Sequence, residues 1–434
     1  RSLCREISDA LTMSFHGEEI LVNQLNDIPQ IDKLDVAAIF NIFDDSEAED
    51  PLPSVLVSTP EKLVYLLRHN PELANEISLV IYDEGHQFDT GQRGVTYELL
   101  LTSLKQRLPA STQHVLISAV MPNAGSIGEW LYAGEGIAVN GTELLATERS
   151  VGFCSWATRR GQIHYVNPLN PNQEEFFVPR VLSTTVIPLR GRERTQRFFP
   201  DKGGKSSVAA YLGLKLSEFG AVAVFCGTKN SVASICKKIV SAHDRIEGLS
   251  VPLSVSSELE IGKIADLSRK HLGDESELTK AIALGVLPHS AGVPNGLRVA
   301  IETAMELGLG RCVICTSTLA QGVNLPIKYL IVSGVYQGRN RISTRDFHNL
   351  LGRAGRSGKH TEGSVIFSDT ELYDRRKTNQ RWQWRNLQSL LDSAQSEHCS
   401  SSLLVVATPF ENDPYQIDPD RKSTRLNSSH DQIS

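Results

Sequence analysis

The chain has 434 residues, 40% of them hydrophobic and 22% charged, with a formal net charge of -6. That length holds two ordinary domains with cores of their own. No apolar run approaches the roughly 20 residues a membrane-spanning helix needs, so an intracellular protein with no membrane partner is expected. The net negative charge excludes a uniformly basic surface, which leaves any nucleic-acid contact to a local groove. Seven scattered cysteines suit a reducing compartment better than a disulfide framework.

The opening RSLCREISDAL reads straight into an amphipathic helix, as if the chain started inside a longer product. Apolar runs and helical patterns then alternate: PSVLVSTP before EKLVYLLRHN, ISLVIYDEG before YELLLTSLKQRL, HVLISAV before SIGEWLYAG. This is the βαβ rhythm of a parallel sheet, and it defines a first lobe over residues 1–146. Within it Leu79 to Tyr82 read as a strand buried on both faces, ending at Asp83 and Glu84. Acids there stand where open α/β sheets bind ligands.

Over 147–204 the rhythm breaks, and ERSVGFCSW, QIHYVNPLNPNQEEFF and LRGRERTQRFF read as a hairpin and linker. It resumes with VAVFC, RCVIC, YLIVSG and GSVIF, a second lobe over 205–369. The fold class expected is α/β, two tandem parallel-sheet lobes with a cleft between them. Residues 370–419, with ELYDRRKTNQRWQWRNLQSLL, read as the start of an accessory region. The final DRKSTRLNSSHDQIS, 420–434, resembles the in-frame translation of a sequencing adapter.

In NLLGRAGR, Arg353 and Arg356 are three residues apart and Asn349 stands four before Arg353, so one helical face would carry all three. Gly352 and Gly355 lower helix propensity and suit close approach of backbones. Leu297, Ala300, Ile301, Ala304 and Met305 recur at helical spacing and read as core. Two look-alikes are set aside. Gly204-Lys205-Ser206 has no glycine at Phe199 to complete a phosphate loop, and reads as linker. Cys312 and Cys315, in a strand, point to opposite faces, so zinc is not expected.

Taken in order, VSTPEKL, VIYDEGH, LISAV, VAVFC, CTSTLAQGVNLP and NLLGRAGR resemble the superfamily 2 helicases of the DEAD/DEAH-box group, in the superkiller-like and Lhr-like branch, over roughly residues 1–370. The resemblance implies two RecA-like lobes that use ATP and Mg2+. Asp83 would hold the ion, through water, and Glu84 would position or deprotonate the attacking water. His86 would link that loop to the turn at Ser118 and Ala119, the coupling motif, where Val120 replaces the usual Thr. Thr59, Pro60, Glu61 and Lys62 would grip the nucleic-acid backbone at a helix start. Thr316, Gly322 and Asn324 would couple that backbone to ATP. Arg353 and Arg356 would reach the γ-phosphate across the cleft, with Asn349 standing where Gln is usual. His289 matches a position without an assigned role, and Gly85 replaces the commoner Ala or Val.

No G-x-x-x-x-G-K-[ST] occurs in the chain. By resemblance it lies shortly upstream, and the 434 residues alone are expected to turn ATP over only at background rate. The function implied is an ATP-dependent helicase or translocase acting on single-stranded or partly duplex RNA or DNA; no protein partner is implied. The alternative is a nucleic-acid-binding pseudo-ATPase or scaffold with the same fold. An unrelated nucleotide kinase would have no need of the GRAGR segment.

Overall fold

The computed structural model describes residues 2–18, 20–25, 54–89, 91–118, 121–131, 136–139, 141, 148–157, 160–317, 325–337, 340–355, 362–378 and 381–404. Ala119, Gly322, Asn324, Arg356 and the segment 420–434 lie outside the described residues. The chain divides into two compact units, residues 1–139 with 398–434, and residues 140–397.

In the first unit, helix α1 (Ser2–Ser14) precedes β1 (Val22–Gln24), which pairs in parallel with β2 (Val55–Val57). Helix α2 (Pro60–His69) starts at a proline, whose fixed φ and missing N–H suit a first helical turn. Strand β3 (Leu79–Tyr82) runs parallel to β4 (Gln113–Leu116), joined through helix α3 (Gly91–Arg107); helix α4 (Ala124–Leu131) follows. Leu66 and Leu67 of α2, Leu101 and Leu104 of α3, Ile127 of α4, Tyr82 and Phe88 share one core. The expectation that β3 is buried on both faces needs correction: Leu79 and Ile81 are 47% and 56% exposed. Among the described residues the core gathers on one face of the β3–β4 pair, and Val115 and Ile117 share the bare side.

The second unit is organised by an eight-stranded sheet. Strands β5 (Glu148–Ala157), β6 (Arg160–Asn167) and β7 (Asn170–Ser183) come first in sequence. Helix α5 (Lys205–Leu216) and strands β8 (Val222–Phe225), β9 (Val286–His289), β10 (Cys312–Cys315) and β11 (Tyr329–Val332) follow, then helix α6 (Thr344–Leu351), strand β12 (Glu362–Phe367) and helix α7 (Arg381–Leu391). The strand order is β9-β10-β8-β11-β12-β5-β6-β7. The first six are parallel and the last two antiparallel. Strand β8 is apolar at every position because it is buried on both faces. Ala223 and Phe225 join one core with Val313, Leu330 and Phe367, while Val222 and Val224 join the other with Ile314, Ile331 and Ile366.

Two expectations about organisation meet a different architecture. Residues 148–183 form a hairpin, but one built into the sheet: β5 pairs in parallel with β12, register Phe153 to Phe367, and carries β6 and β7 outward. Val151 and Phe153 face one core and Cys154 the other, an alternation that glycines and prolines nearby obscure in the sequence. Residues 370–397 are likewise no separate region, since Tyr373, Trp384, Leu387, Leu390 and Leu391 belong to the core around Phe153. Their spacing along α7 makes one apolar face. Gly204 caps α5, so Gly204-Lys205-Ser206 is a helix start rather than a linker. Cys312 and Cys315 are both buried, with Cys315 in the Phe225 core. Among the described residues no helix is long and apolar enough to cross a membrane.

Phe153 is the keystone of this unit. Its ring stacks on Phe367 at 4.8 Å and meets Trp384 edge-on at 5.0 Å, which ties the hairpin, the parallel sheet and α7 together. Phe153→Ala is expected to destabilise the unit by about 3–5 kcal/mol, read from chemical denaturation followed by tryptophan fluorescence. A loss well under 1 kcal/mol would mean that the hairpin and α7 do not depend on this contact.

Candidate active site in the acidic loop

Immediately after β3 the chain turns sharply. Asp83 is exposed, and its Oδ1 accepts the Glu84 N–H at 2.9 Å. Glu84 takes a left-handed backbone conformation, φ 51°, which costs a side-chain-bearing residue about 1–2 kcal/mol. The turn is pinned by the Gly85 N–H, which donates to Ile117 O at 2.8 Å. A methyl group at Gly85 would lie 2.4 Å from Leu116 Cγ and Cδ2, so the glycine that departs from the commoner Ala or Val answers to the leucine beside it. The chain then enters a short 3-10 helix, Gly85–Asp89, that packs against α3.

His86 sits on that helix and is 6% exposed. Its Nδ1 is 3.1 Å from Ser118 Oγ, and its Nε2 is 3.4 Å from Glu84 Oε2. One ring thus connects the acidic pair to the turn after β4, and the structure brings Asp83, Glu84, His86 and Ser118 together. No cluster of three His, Cys, Asp or Glu side chains able to hold a metal exists among the described residues. A single exposed carboxylate, Asp83, fits an ion held mainly by water and by the phosphates of a substrate, as Mg2+ usually is.

The other expected groups fall elsewhere. Thr59 is the N-cap residue of α2, followed by Pro60 and Glu61 in the first turn. Glu61 is 3.4 Å from Arg93. Burial alone would raise its carboxyl, but its own backbone N–H, the Thr59 hydroxyl and Arg93 outweigh burial and hold it below the usual carboxylate range. Lys62 is 7% exposed, and its Nζ donates to Leu25 O at 2.5 Å, so this lysine is turned into the unit rather than toward a strand of nucleic acid.

In the second unit Thr316 is buried beside β9, with its N–H on His289 O at 3.2 Å, and His289 Nε2 is 2.7 Å from Glu302 Oε1. The expectation of one helical face for Asn349, Arg353 and Arg356 needs correction. Helix α6 ends at Leu351 with Gly352 as its cap, and Arg353 follows in a turn whose N–H bonds Leu350 O at 3.1 Å. Gly355 is left-handed, φ 68°, and a methyl group there would lie 2.5 Å from Gly363 N. The glycines therefore do serve close approach of backbones, but by ending the helix. Asn349 remains on α6.

Sequence reasoning missed Tyr97. It lies on α3, 6% exposed, and its hydroxyl has no hydrogen-bond partner among the described residues. Burial first, and then the charges of Asp83 and Glu84, push its phenol well above the usual range. Only its place in an apolar helix pattern was visible, and that says nothing of an acidic neighbour.

Comparison with known proteins points to a family. Residues 2–127 match the DEAD/DEAH box helicase family. The chain is similar to the Hachiman protein HamB of Bacillus cereus, 30% identical over 371 residues, which is 85% of this chain and 32% of that protein. It is similar to the ATP-dependent DNA helicase Hel308 of Methanococcus vannielii, 26% identical over 322 residues, 72% of this chain and 37% of the relative. The Helicase POLQ-like protein of Drosophila melanogaster is 29% identical over 299 residues, 67% of this chain and 26% of the relative. Residues 2–127 are thus a DEAD/DEAH box helicase domain, and the chain's relatives include Hel308-type helicases and HamB. The chain spans about a third of the length of the curated relatives it matches.

The idle hydroxyl of Tyr97 makes a clean stability probe. Tyr97→Phe keeps the ring and removes a buried, unpartnered polar atom, so it is expected to raise stability by on the order of 1 kcal/mol. Thermal unfolding of the two proteins side by side checks this. A clear loss of stability would show that the hydroxyl is satisfied in solution.

Proposed function

We propose that this chain is the core of an ATP-dependent helicase or translocase that couples ATP hydrolysis to stepping on a DNA strand. DNA is favoured over RNA because the Hel308 relatives are named as DNA helicases. The observation that carries the reading is the His86 bridge, with one ring nitrogen on Ser118 and the other on the Glu84 carboxylate.

Each residue then has a physical task. Glu84 accepts the proton of the attacking water, and the left-handed turn together with His86 fixes where its carboxylate stands. Ser118 meets the same ring, so a shift of the turn after β4 is felt at Glu84. Asp83 would hold Mg2+, which, bound with ATP, neutralises phosphate oxygens. Arg353 and Arg356 supply guanidinium groups suited to phosphate oxygens, with Asn349, Gly322 and Asn324 assigned to the nucleotide. Thr59, Pro60, Glu61 and Thr316 are assigned to the nucleic-acid backbone. Lys62, with its ammonium committed to Leu25 O, holds that helix start in place rather than gripping phosphate directly. The protein is taken to work inside the cell.

The deciding experiment is Glu84→Gln in the intact protein that carries this chain. The amide keeps size and hydrogen bonding but cannot take a proton, so ATP binding is expected to persist while strand-stimulated turnover falls by about 10²–10⁴-fold. Unchanged turnover would remove Glu84 from the role of base. An intact protein that binds DNA without any strand-stimulated turnover would be the pseudo-ATPase instead.

A further inference from the structure

The acidic loop is held by residues from the other end of the chain. The second unit ends at Glu397, and His398 returns the chain to the first unit. There the Asn123 side chain makes both hydrogen bonds to the backbone of Cys399, Nδ2 donating to Cys399 O at 2.8 Å and Oδ1 accepting the Cys399 N–H at 3.1 Å. Cys399 is buried in the first unit's core, and its thiol lies 3.8 Å from His86 O. Ser402 Oγ donates to Phe88 O at 2.7 Å. Two carbonyls of the 3-10 helix, those of His86 and Phe88, thus meet groups from Cys399 and Ser402. Gly94 closes the arrangement: a methyl group there would lie 2.5 Å from Phe88 O and 2.7 Å from Ser402 Oγ.

A 3-10 helix has poor internal hydrogen-bond geometry and rarely persists without outside support. This one carries His86, which orients Glu84. Glu397, two residues before Cys399, is itself anchored: its carboxylate accepts the Thr344 and Arg345 N–H groups at 2.9 and 3.2 Å, capping α6. The clasp is therefore tethered in sequence to the helix that leads to Arg353.

We propose that residues 398–404 are a clasp that sets the geometry of the acidic loop, with Asn123 and Ser402 as positioning residues for the proton transfer at Glu84. The proposal rests on the motor reading above. It places two residues outside the recognised motifs in service of the reaction, acting through the backbone of residues 86–88 rather than on substrate.

Two measurements on Asn123→Ala and Ser402→Ala, made in the intact protein, test it. Amide hydrogen exchange over residues 85–89 is expected to speed up by about tenfold or more as the helix loses outside partners. The kcat for strand-stimulated ATP hydrolysis is expected to fall by about tenfold, with the KM for ATP within about twofold, because a misplaced base costs turnover rather than binding. Ser402→Thr, which keeps the hydroxyl, should restore both. Faster exchange with unchanged kcat would make the clasp a merely structural contact and overturn the proposal, as would unchanged exchange. Glu84→Gln serves as the control: turnover that survives it removes Glu84 from the role of base, while an intact protein with no strand-stimulated turnover sinks the motor reading, and in either case exchange alone then decides whether the clasp holds the loop.

Discussion

The first unit's chemistry depends on a missing side chain. Gly85 lets the chain turn within one residue of Glu84, bring its N–H onto Ile117 O, and lie against the Leu116 side chain where a methyl group would collide. Without that turn Glu84 would have no reason to occupy a left-handed conformation, and His86 would not reach both Glu84 and Ser118. The strain at Glu84 and the crowding at Gly85 are local costs, offset by the apolar core of Leu101, Leu104, Phe88 and Tyr82 beneath the loop.

The second unit solves a similar problem in another way. Strands β8, β9 and β10 of its sheet are buried at every position, so their interiors are rigid and their ends are well placed. Arg353 is placed not by a long helix but by the closing of a short one. Gly352 caps α6, the Gly355 N–H bonds Ile327 O at 2.9 Å, and the backbones of Gly355 and Gly363 touch. In both units a glycine allows a tight turn beside a charged residue, Glu84 in one and Arg353 in the other.

Much of this was legible in the sequence. The apolar runs VAVF, CVIC and YLIV are strands, and Asp83 and Glu84 do close β3. The motif order points to the same helicase family that residues 2–127 match. What failed did so for identifiable reasons. The hairpin of residues 148–183 carries Gly152, Gly161 and Pro179, which mask a period-two pattern that pairing with β12 makes obvious. The helical reading of GRAGR counted spacing and underweighted two glycines in four residues. Tyr97 and the contacts of Cys399 and Ser402 were invisible, because no periodicity reports a hydrogen bond between residues some three hundred positions apart.

The helix start at Thr59 shows how a motif can divide its labour. Four consecutive residues were assigned to one task by resemblance, yet the structure treats them differently. Pro60 fixes the backbone and Lys62 is spent on Leu25 O, which bonds α2 to the residue following β1. Glu61 is engaged by Arg93 of α3, so the same turn is braced on a second side. A helix N-terminus binds phosphate through its free N–H groups, and those work only if the terminus does not move. On this argument the lysine serves the site by immobilising it, and a surface cation in its place would add charge but lose the anchor.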